Sequence, residues 1–523
     1  MTPNQYTPEE PISSIATALA PAALGIVRLS GKGCIDLVSK VFSRPKALLE
    51  APGNTLVYGW ILDKEEKGEG ESLPLARTSL LATPSSGEPA PRNAPGRIDE
   101  VMLAVYRAPK SFTGEDMVEI FCHGGPAVVM AIQNLMLKSG FRQANRGEYT
   151  FRAFINGKTD LTRAEAVKEI IDSHTDVSRS HAAGRLAGSL FSEIDSIKKL
   201  IVNTLAAIEV EIEYPEDEET IADSFDRGDI ELAASRLQAL EDSWRGEKLY
   251  QDGARVVLAG RTNAGKSSLF NAILKEERAI VSDIEGTTRD WLESWASING
   301  IPVRLFDTAG LRQTSDVIEA QGVEISRSLV HDADVVLYLV DGTAGLNDED
   351  RSFIENCKEP LIVVYTKSDK CEAVDCHVAP LLAMTTSSLH AGSSSLHTGT
   401  SSLRAEGEAI QTQSVHISSK TGEGLSDLFA KIYEILTADL HSGGAGSTTE
   451  RTQAGLGSAR QKEAVSAALE SVKHALVSAD DNYTLDAVVQ DLEDALDALG
   501  EVTGDVTPDD VLGSIFANFC VGK

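Results

Sequence analysis

Basic residues are scarce in this 523-residue chain. Its 79 Asp and Glu outnumber 48 Lys and Arg, giving a formal net charge of −31. A general, charge-driven grip on nucleic acid needs the opposite balance, because Lys and Arg make the phosphate contacts; a local basic patch remains compatible with the total. Cysteine is scarce too. Cys34, Cys122, Cys357, Cys371, Cys376 and Cys520 are scattered without the short spacings of a disulfide-rich secreted fold, so a reducing cytoplasm is expected. Long apolar runs are missing: no stretch approaches the ~20 apolar residues that span a bilayer. The segment Ile12–Val27 does not read as a signal peptide, since Glu9 and Glu10 stand where a positive region belongs and Pro21 interrupts it. It reads as a buried strand and turn.

What is present is ordinary for a folded chain, 42% hydrophobic and 24% charged, and its length suits about three domains of roughly 150 residues each. Residues 12–30 end in GIVRLSG, a strand in which Arg28 stands among apolar neighbours, either as an edge-strand arginine or as an anion binder. Residues 33–50 read as helical, and 64–96 as a Glu/Lys/Ser/Pro/Gly-rich loop insertion. Strand signals return at Val101–Tyr106 and Met117–Phe121, then His123-Gly124-Gly125-Pro126 and a helix over 127–138. The first ~155 residues thus read as α+β. Alternation assigns Glu119 to the solvent face, and His123 reads as structural.

From Asp160 to about Arg245 apolar residues keep helical spacing, among them Leu186, Leu190, Ile194, Ile197, Leu200, Ile201, Leu205, Ile208 and Ile212. The acidic run Tyr214–Glu219 marks a turn and solvated face, with metal binding as the other reading. Residues 251–440 alternate strands and helices like a parallel, doubly wound sheet, with strands at Val256–Ala259, Val303–Phe306, Val335–Val340 and Leu361–Tyr365. A Ser/Thr/His-rich tract between Cys371 and Gln413 reads as a second, disordered insertion. A zinc site at Cys371, Cys376 and His377 lacks a second ligand pair. Residues 458–500 and 507–519 read as helical again.

The chemistry concentrates in Val256–Ser268, VVLAGRTNAGKSS, an apolar strand breaking into Gly-x-x-x-x-Gly-Lys-Ser. Gly260 and Gly265 let the backbone approach phosphates, Lys266 would neutralise the β/γ-phosphates, and Ser267 would bind magnesium at a helix N-terminus. Downstream, SDIEGTTRD (282–290) offers Thr288 as a second magnesium ligand. Asp307-Thr308-Ala309-Gly310 would hold magnesium through water and face the γ-phosphate. Thr366-Lys367-Ser368-Asp369 places a carboxylate that accepts from guanine N1 and its exocyclic amine, which adenine cannot satisfy. Ser418-Ser419-Lys420 would close the base pocket. Four elements in this order, each after a strand, read as a GTPase. Leu311 stands where small GTPases carry a water-orienting Gln, so another group must act; Glu319 is the candidate, with a solvated helix carboxylate as the bland reading.

The combination resembles the MnmE (TrmE) family of tRNA-modification GTPases over nearly the whole chain. The stretches that carry the likeness are GIVRLSG, SFTGEDMVEIFCHGGP, RAFINGKTDLTRAEAV, GRTNAGKSSLFNAI, EGTTRD, DTAGLR and the terminal FCVGK. The resemblance implies an N-terminal α+β folate-binding and dimerising domain (1–157), a discontinuous helical domain (158–250 and 441–523) and an inserted Ras-like GTPase domain (251–440). It implies Arg28, Glu119, Lys158 and Lys523 as folate-binding, with 5,10-methylenetetrahydrofolate as cofactor and 5-formyltetrahydrofolate as analogue. Cys520 matches the family's functional terminal cysteine, and Glu319 its general base or water-orienting carboxylate.

The implied nucleotide set is Asn263, Ala264, Gly265, Lys266, Ser267, Ser268, Ser282, Asp283, Ile284, Glu285, Gly286, Thr287, Thr288, Asp307, Thr308, Ala309, Gly310, Thr366, Lys367, Ser368, Asp369, Ser418, Ser419 and Lys420. Asn263 and Thr287, with the carbonyls of Ser282 and Ile284, would coordinate potassium. Implied partners are a second copy, an FAD-containing MnmG-type protein and tRNA; no membrane association is expected. Two departures stand out: ALAPAALG before Ile26 where the family has a more glycine-rich turn, and Thr366 where it has Asn. A reading from another class is a GTP-controlled ribosome-assembly or RNA-binding switch.

Overall fold

The computed structural model describes residues 10–63, 96–213, 226–276, 292–307, 329–370, 401–402, 411–441, 454–480, 485–507 and 509–522. Contacts divide the chain into two units, Met1–Lys168 with Leu499–Lys523, and Glu169–Ala498.

In the first unit, β1 (Ile12–Ile15), β2 (Ala22–Ser30), β3 (Thr55–Leu62), β4 (Arg97–Tyr106), β5 (Met117–Gly124) and β6 (Arg142–Gln143) form one sheet in the order β3-β4-β5-β2-β1-β6. Alternation along each strand sorts side chains to two faces. Val27, Leu29, Val118, Ile120 and Leu103 are fully buried with Val38, Ile132 and Met136 of the helices Cys34–Val41 and Pro126–Lys138. Each such side chain is worth ~1.5–3 kcal/mol of burial. The opposite face carries Arg28 of β2, in register with Glu119 of β5. The chain's last helix, Asp509–Ala517, also belongs here: Phe516 and Phe519 pack with Phe151, Leu161 and Ala164. Gly147, at φ +67, lies so close that a Cβ would stand 2.6 Å from the Phe516 carbonyl oxygen.

An ion network ties the loop before β5 to this frame. The fully buried Arg152 guanidinium donates to Glu115 at 3.0 Å, to Glu148 at 2.9 Å and to the Glu10 carbonyl at 2.9 Å. Glu115 also accepts the Ser30 hydroxyl at 2.7 Å. Such a charge is tolerable in the interior only because two carboxylates and a carbonyl meet its terminal nitrogens.

In the second unit, the helices Asp176–Ala187, Ser189–Glu213, Arg227–Asp252 and Ala459–Asp480 accompany a sheet in the order β12-β13-β11-β10-β7-β9-β8. Its strands are β7 (Ala254–Gly260), β8 (Leu292–Ile298), β9 (Ile301–Asp307), β10 (Val335–Asp341), β11 (Leu361–Thr366), β12 (Ser401–Ser402) and β13 (Gln411–His416). Val256, Leu258, Leu337 and Val364 meet Leu269 and Ile273 of the helix Lys266–Glu276 on one face. Val257, Val336 and Val363 meet Phe353 and Ile354 on the other. Strands buried on both faces read as continuous apolar runs, which is why those four were legible.

Three expectations change. The sheet is mixed, because β8 runs antiparallel to β9 and β12 antiparallel to β13. The β8–β9 turn is Asn299-Gly300, at φ +50 and +87, a two-residue hairpin signal that the sequence reading passed over. Residues 411–413, assigned to the disordered insertion, begin β13, parallel to β11. In the long helices Leu190, Ile194, Ile197, Ile201 and Ile208 are fully buried, but Leu186 is 39% exposed, near the end of its helix. Ile212, the Tyr214–Glu219 run, residues 64–95 and the Cys371, Cys376 and His377 group lie outside the described side chains.

Candidate functional site

β7 delivers the chain to Gly260, whose φ of +133 no side chain adopts comfortably and whose Cβ would stand 2.4 Å from the Leu339 carbonyl oxygen. Asn263 (φ +65) and Gly265 (φ +96) continue the left-handed turn, and Leu269 donates back to the Gly265 carbonyl at 2.9 Å as the helix begins. The buried Lys266 ammonium lies within the curl, on the carbonyls of Gly260 at 2.8 Å and Arg261 at 2.7 Å. A loop so wound turns backbone donors toward an anion at the helix N-terminus. Ser267 and Ser268 are exposed there, while Ala264 is buried.

The Ser267 hydroxyl donates to the Asp307 carboxylate at 2.9 Å, so residues 40 positions apart meet where β9 ends beside the loop. A hydroxyl and a carboxylate oxygen are the donor types that a hard divalent cation takes, and these two fit magnesium. Asn263 is exposed with a side-chain oxygen, a donor suited to a monovalent cation. Ser282, Asp283, Ile284, Glu285, Gly286, Thr287, Thr288, Thr308, Ala309, Gly310, Leu311 and Glu319 lie outside the described residues.

The base element stands next to the loop. Thr366, 2% exposed, places its hydroxyl 2.8 Å from the Ala264 carbonyl and 3.2 Å from that of Val340. The Lys367 ammonium reaches the Asn263 carbonyl at 3.2 Å and the Asp341 carboxylate at 2.6 Å. The Ser418 hydroxyl donates to Asp369 at 2.9 Å, which brings the last two expected elements together; Ser368 begins a short 3-10 turn and Lys420 is exposed. Asp341 was missed by the sequence reading. Hydrogen bonds from Lys367 and Thr343 hold its carboxyl at about 2, below the ordinary range. Its signal was position, since it ends the apolar run of β10 at the carboxyl edge of the sheet, where open α/β sheets bind ligands.

The second candidate lies in the first unit. Arg28 and Glu119 make a 2.8 Å ion pair, with side chains 17% and 13% exposed; Glu119 is therefore not on a free solvent face. Tyr106, Phe112 and Met117 complete a cavity of about 270 Å³ around them. Phe112 and Tyr149 approach the Arg28 guanidinium at 5.8 and 5.7 Å, within cation–π range. Burial, then the Glu119 charge, raises the Tyr106 hydroxyl above its ordinary pKa. Arg28 also donates to the Gly522 carbonyl at 2.9 Å, Gly147 to the Cys520 carbonyl at 3.3 Å, and Val521 bridges to Arg146.

This pocket, walled by aromatic rings and floored by one guanidinium and one carboxylate, suits a flat heterocycle with both donors and acceptors. Lys158 is not among the lining residues; its ammonium lies on the Pro109 carbonyl at 3.0 Å. Cys520 is exposed, and Lys523 lies outside the described residues. His123 is held by Asp99 at 2.8 Å. Among the described residues no helix is long and apolar enough to cross a membrane.

Comparison with known proteins covers nearly the whole chain. The family description "GTP-binding protein TrmE N-terminus" matches residues 11–158 and "MnmE helical domain" matches residues 161–520. The tRNA modification GTPase MnmE of Treponema denticola is 48% identical over 524 residues, covering 99% of each chain. Its namesake in Treponema pallidum (strain Nichols) is 41% identical over the whole of both chains. The one in Carboxydothermus hydrogenoformans is 36% identical over 98% of this chain and 100% of the other. Among solved structures, Aquifex aeolicus Era bound to GDP.AlF4- aligns at 25% identity over 42% of this chain and 66% of its own, with a TM-score of 0.25, a likeness that bears on neither fold nor function. The two family descriptions and the agreement over whole chains make this chain a member of the MnmE (TrmE) family of tRNA modification GTPases.

Proposed function

We propose that this GTPase, with an FAD-containing MnmG-type partner, adds a carboxymethylaminomethyl or aminomethyl group at C5 of the wobble uridine of certain tRNAs. The one-carbon unit would come from 5,10-methylenetetrahydrofolate, and GTP hydrolysis would drive the conformational change that the modification needs. The observation that carries the reading is the Arg28–Glu119 pocket in the same chain as a phosphate loop whose Ser267 meets Asp307. A nucleotide switch alone has no need of such a pocket.

In this reading Ser267 and Thr288 bind magnesium directly, and Asp307 binds it through water. Asn263, Thr287 and the carbonyls of Ser282 and Ile284 hold potassium. That ion would neutralise transition-state charge as an arginine finger does, and Glu319 would orient water in place of the Gln that Leu311 replaces. Asp369 reads the guanine, and Ser418, Ser419 and Lys420 close over it. Arg28 and Glu119 bind the pterin, with Lys158 and Lys523 toward the rest of the folate; Cys520 belongs to the modification chemistry.

The protein acts as a homodimer in the cytoplasm. In support of a second copy on the first unit's sheet, Leu56, Tyr58 and Met102 are 63%, 53% and 43% exposed on neighbouring strands, with Tyr58 opposite Met102, and apolar side chains exposed side by side suit an interaction surface. With a net charge of −31, the MnmG-type partner would supply much of the tRNA contact.

Nucleoside mass spectrometry of tRNA from a deletion strain tests the whole reading. The modified wobble uridine should disappear and return with the wild-type gene. Unchanged nucleosides would overturn it.

A further inference from the structure

We infer that Thr366 fastens the phosphate loop and makes no hydrogen bond to the base, so that this chain selects guanine through the N1 and amino edge at Asp369 alone. The inference rests on residues 366–369 being the base element, as proposed above, and concerns how they divide the work.

A donor count carries it. A threonine hydroxyl has one proton, whereas an asparagine amide has two. At Thr366 both neighbours are carbonyl oxygens, Ala264 at 2.8 Å and Val340 at 3.2 Å, so the single proton is committed to main-chain acceptors. The oxygen's lone pairs remain, but N7 of a purine is itself an acceptor and cannot use them. An asparagine at this position would have one N–H for the loop and one for N7. The threonine is 2% exposed, and its side-chain atoms stand 3.5 Å from where a Cβ on Gly265 would be. Packing thus turns it toward the loop.

Lys367 follows the same direction, its ammonium on the Asn263 carbonyl at 3.2 Å. Successive residues of the base element therefore hold successive carbonyls of the phosphate loop. Asp369 differs: among the described residues it accepts one bond, from Ser418 at 2.9 Å, and an ionised carboxylate has about four lone-pair sites, which leaves capacity for both donors on guanine.

Competition binding with the full-length protein tests this, using GTP, 7-deaza-GTP, in which N7 is a C–H, and ITP, which lacks the exocyclic amine. Wild type should bind 7-deaza-GTP within about twofold of GTP and ITP about tenfold or more weakly, the loss expected for a hydrogen bond to a charged group. Thr366→Asn should gain a preference of about fivefold for GTP over 7-deaza-GTP. Thr366→Val should weaken both nucleotides equally, because only the loop loses its fastening. A wild-type protein that binds 7-deaza-GTP fivefold or more weakly overturns the inference, as does Thr366→Val changing the ratio between the two. Equal affinity for ITP and GTP overturns the Asp369 reading beneath it and is recognised separately.

Discussion

Arg28 and Glu119 face each other from adjacent strands at 2.8 Å, although 91 residues separate them in sequence. The pair does not close on itself. Arg28 also reaches the Gly522 carbonyl at 2.9 Å, and the two side chains border a cavity with aromatic walls. Removing the guanidinium takes away the pocket's cation and leaves Glu119 with a much weaker neighbour, the Tyr106 hydroxyl at 3.4 Å.

Arg28→Ala should therefore abolish folate binding while leaving the fold. Calorimetry with 5-formyltetrahydrofolate is expected to show heat with wild type and none with the variant, with GTP turnover retained. Binding heat that survives in Arg28→Ala removes the folate assignment from this pocket.

Asp341→Asn tests the link between base element and loop. Lys367 loses a charged partner at 2.6 Å; the two side chains are 33% and 26% exposed, so screening reduces the effect. Affinity for a fluorescent GDP should fall about three- to tenfold, the size expected of a partly screened charge-assisted bond. An unchanged dissociation constant would show that Lys367 holds Asn263 without help.

The cation and the water are separable by kinetics. GTP turnover in potassium should exceed that in sodium, and Asn263→Ala should erase the difference; equal rates in the two salts would end the ion-binding assignment. Glu319→Ala should bind GTP almost normally and hydrolyse it slowly. Normal turnover would return Glu319 to a solvated helix carboxylate.

Acid should loosen the second unit through Glu247. Burial pushes its carboxyl upward, but the His181 hydrogen bond and the Arg185 charge outweigh burial and hold it below 4.5. A carboxyl depressed in the folded state stabilises the fold above its unfolded pKa and loses that contribution as pH falls through the folded value. Arg185 is 1% exposed and shared with Glu169. Glu247→Gln should cost about 2–4 kcal/mol at pH 7 and flatten the loss of stability below pH ~4.5, read by urea melts at both pH values. A variant as stable as wild type at pH 7 would contradict it.

The nucleotide loop was readable because its chemistry is local: apolar strand, glycines, Lys266 and Ser267 follow one another within thirteen residues. The Arg28 pocket was not readable from spacing. Whether Glu119 faces water or a pocket depends on the register with β2 and on Gly522, and no window along the chain contains them all. β8 carries the same lesson at shorter range. Its LESWASI is too polar for a run, and only Asn299-Gly300 marks the hairpin. Asp341 ends an apolar strand, and its partner Lys367 directly follows the next strand over.

The first unit is assembled from the two ends of its sequence, and this orders its birth. On a translating ribosome the sheet with Arg28 and Glu119 emerges early, yet Phe516 and Phe519, which complete the packing around Phe151, are made only after all of Glu169–Ala498. Domains generally fold as they are synthesised, so the unit with the phosphate loop has its whole sequence before the unit with Arg28 and Glu119 does. A nascent chain released just short of Phe516 would carry a complete phosphate-loop sequence and an unfinished Arg28 pocket.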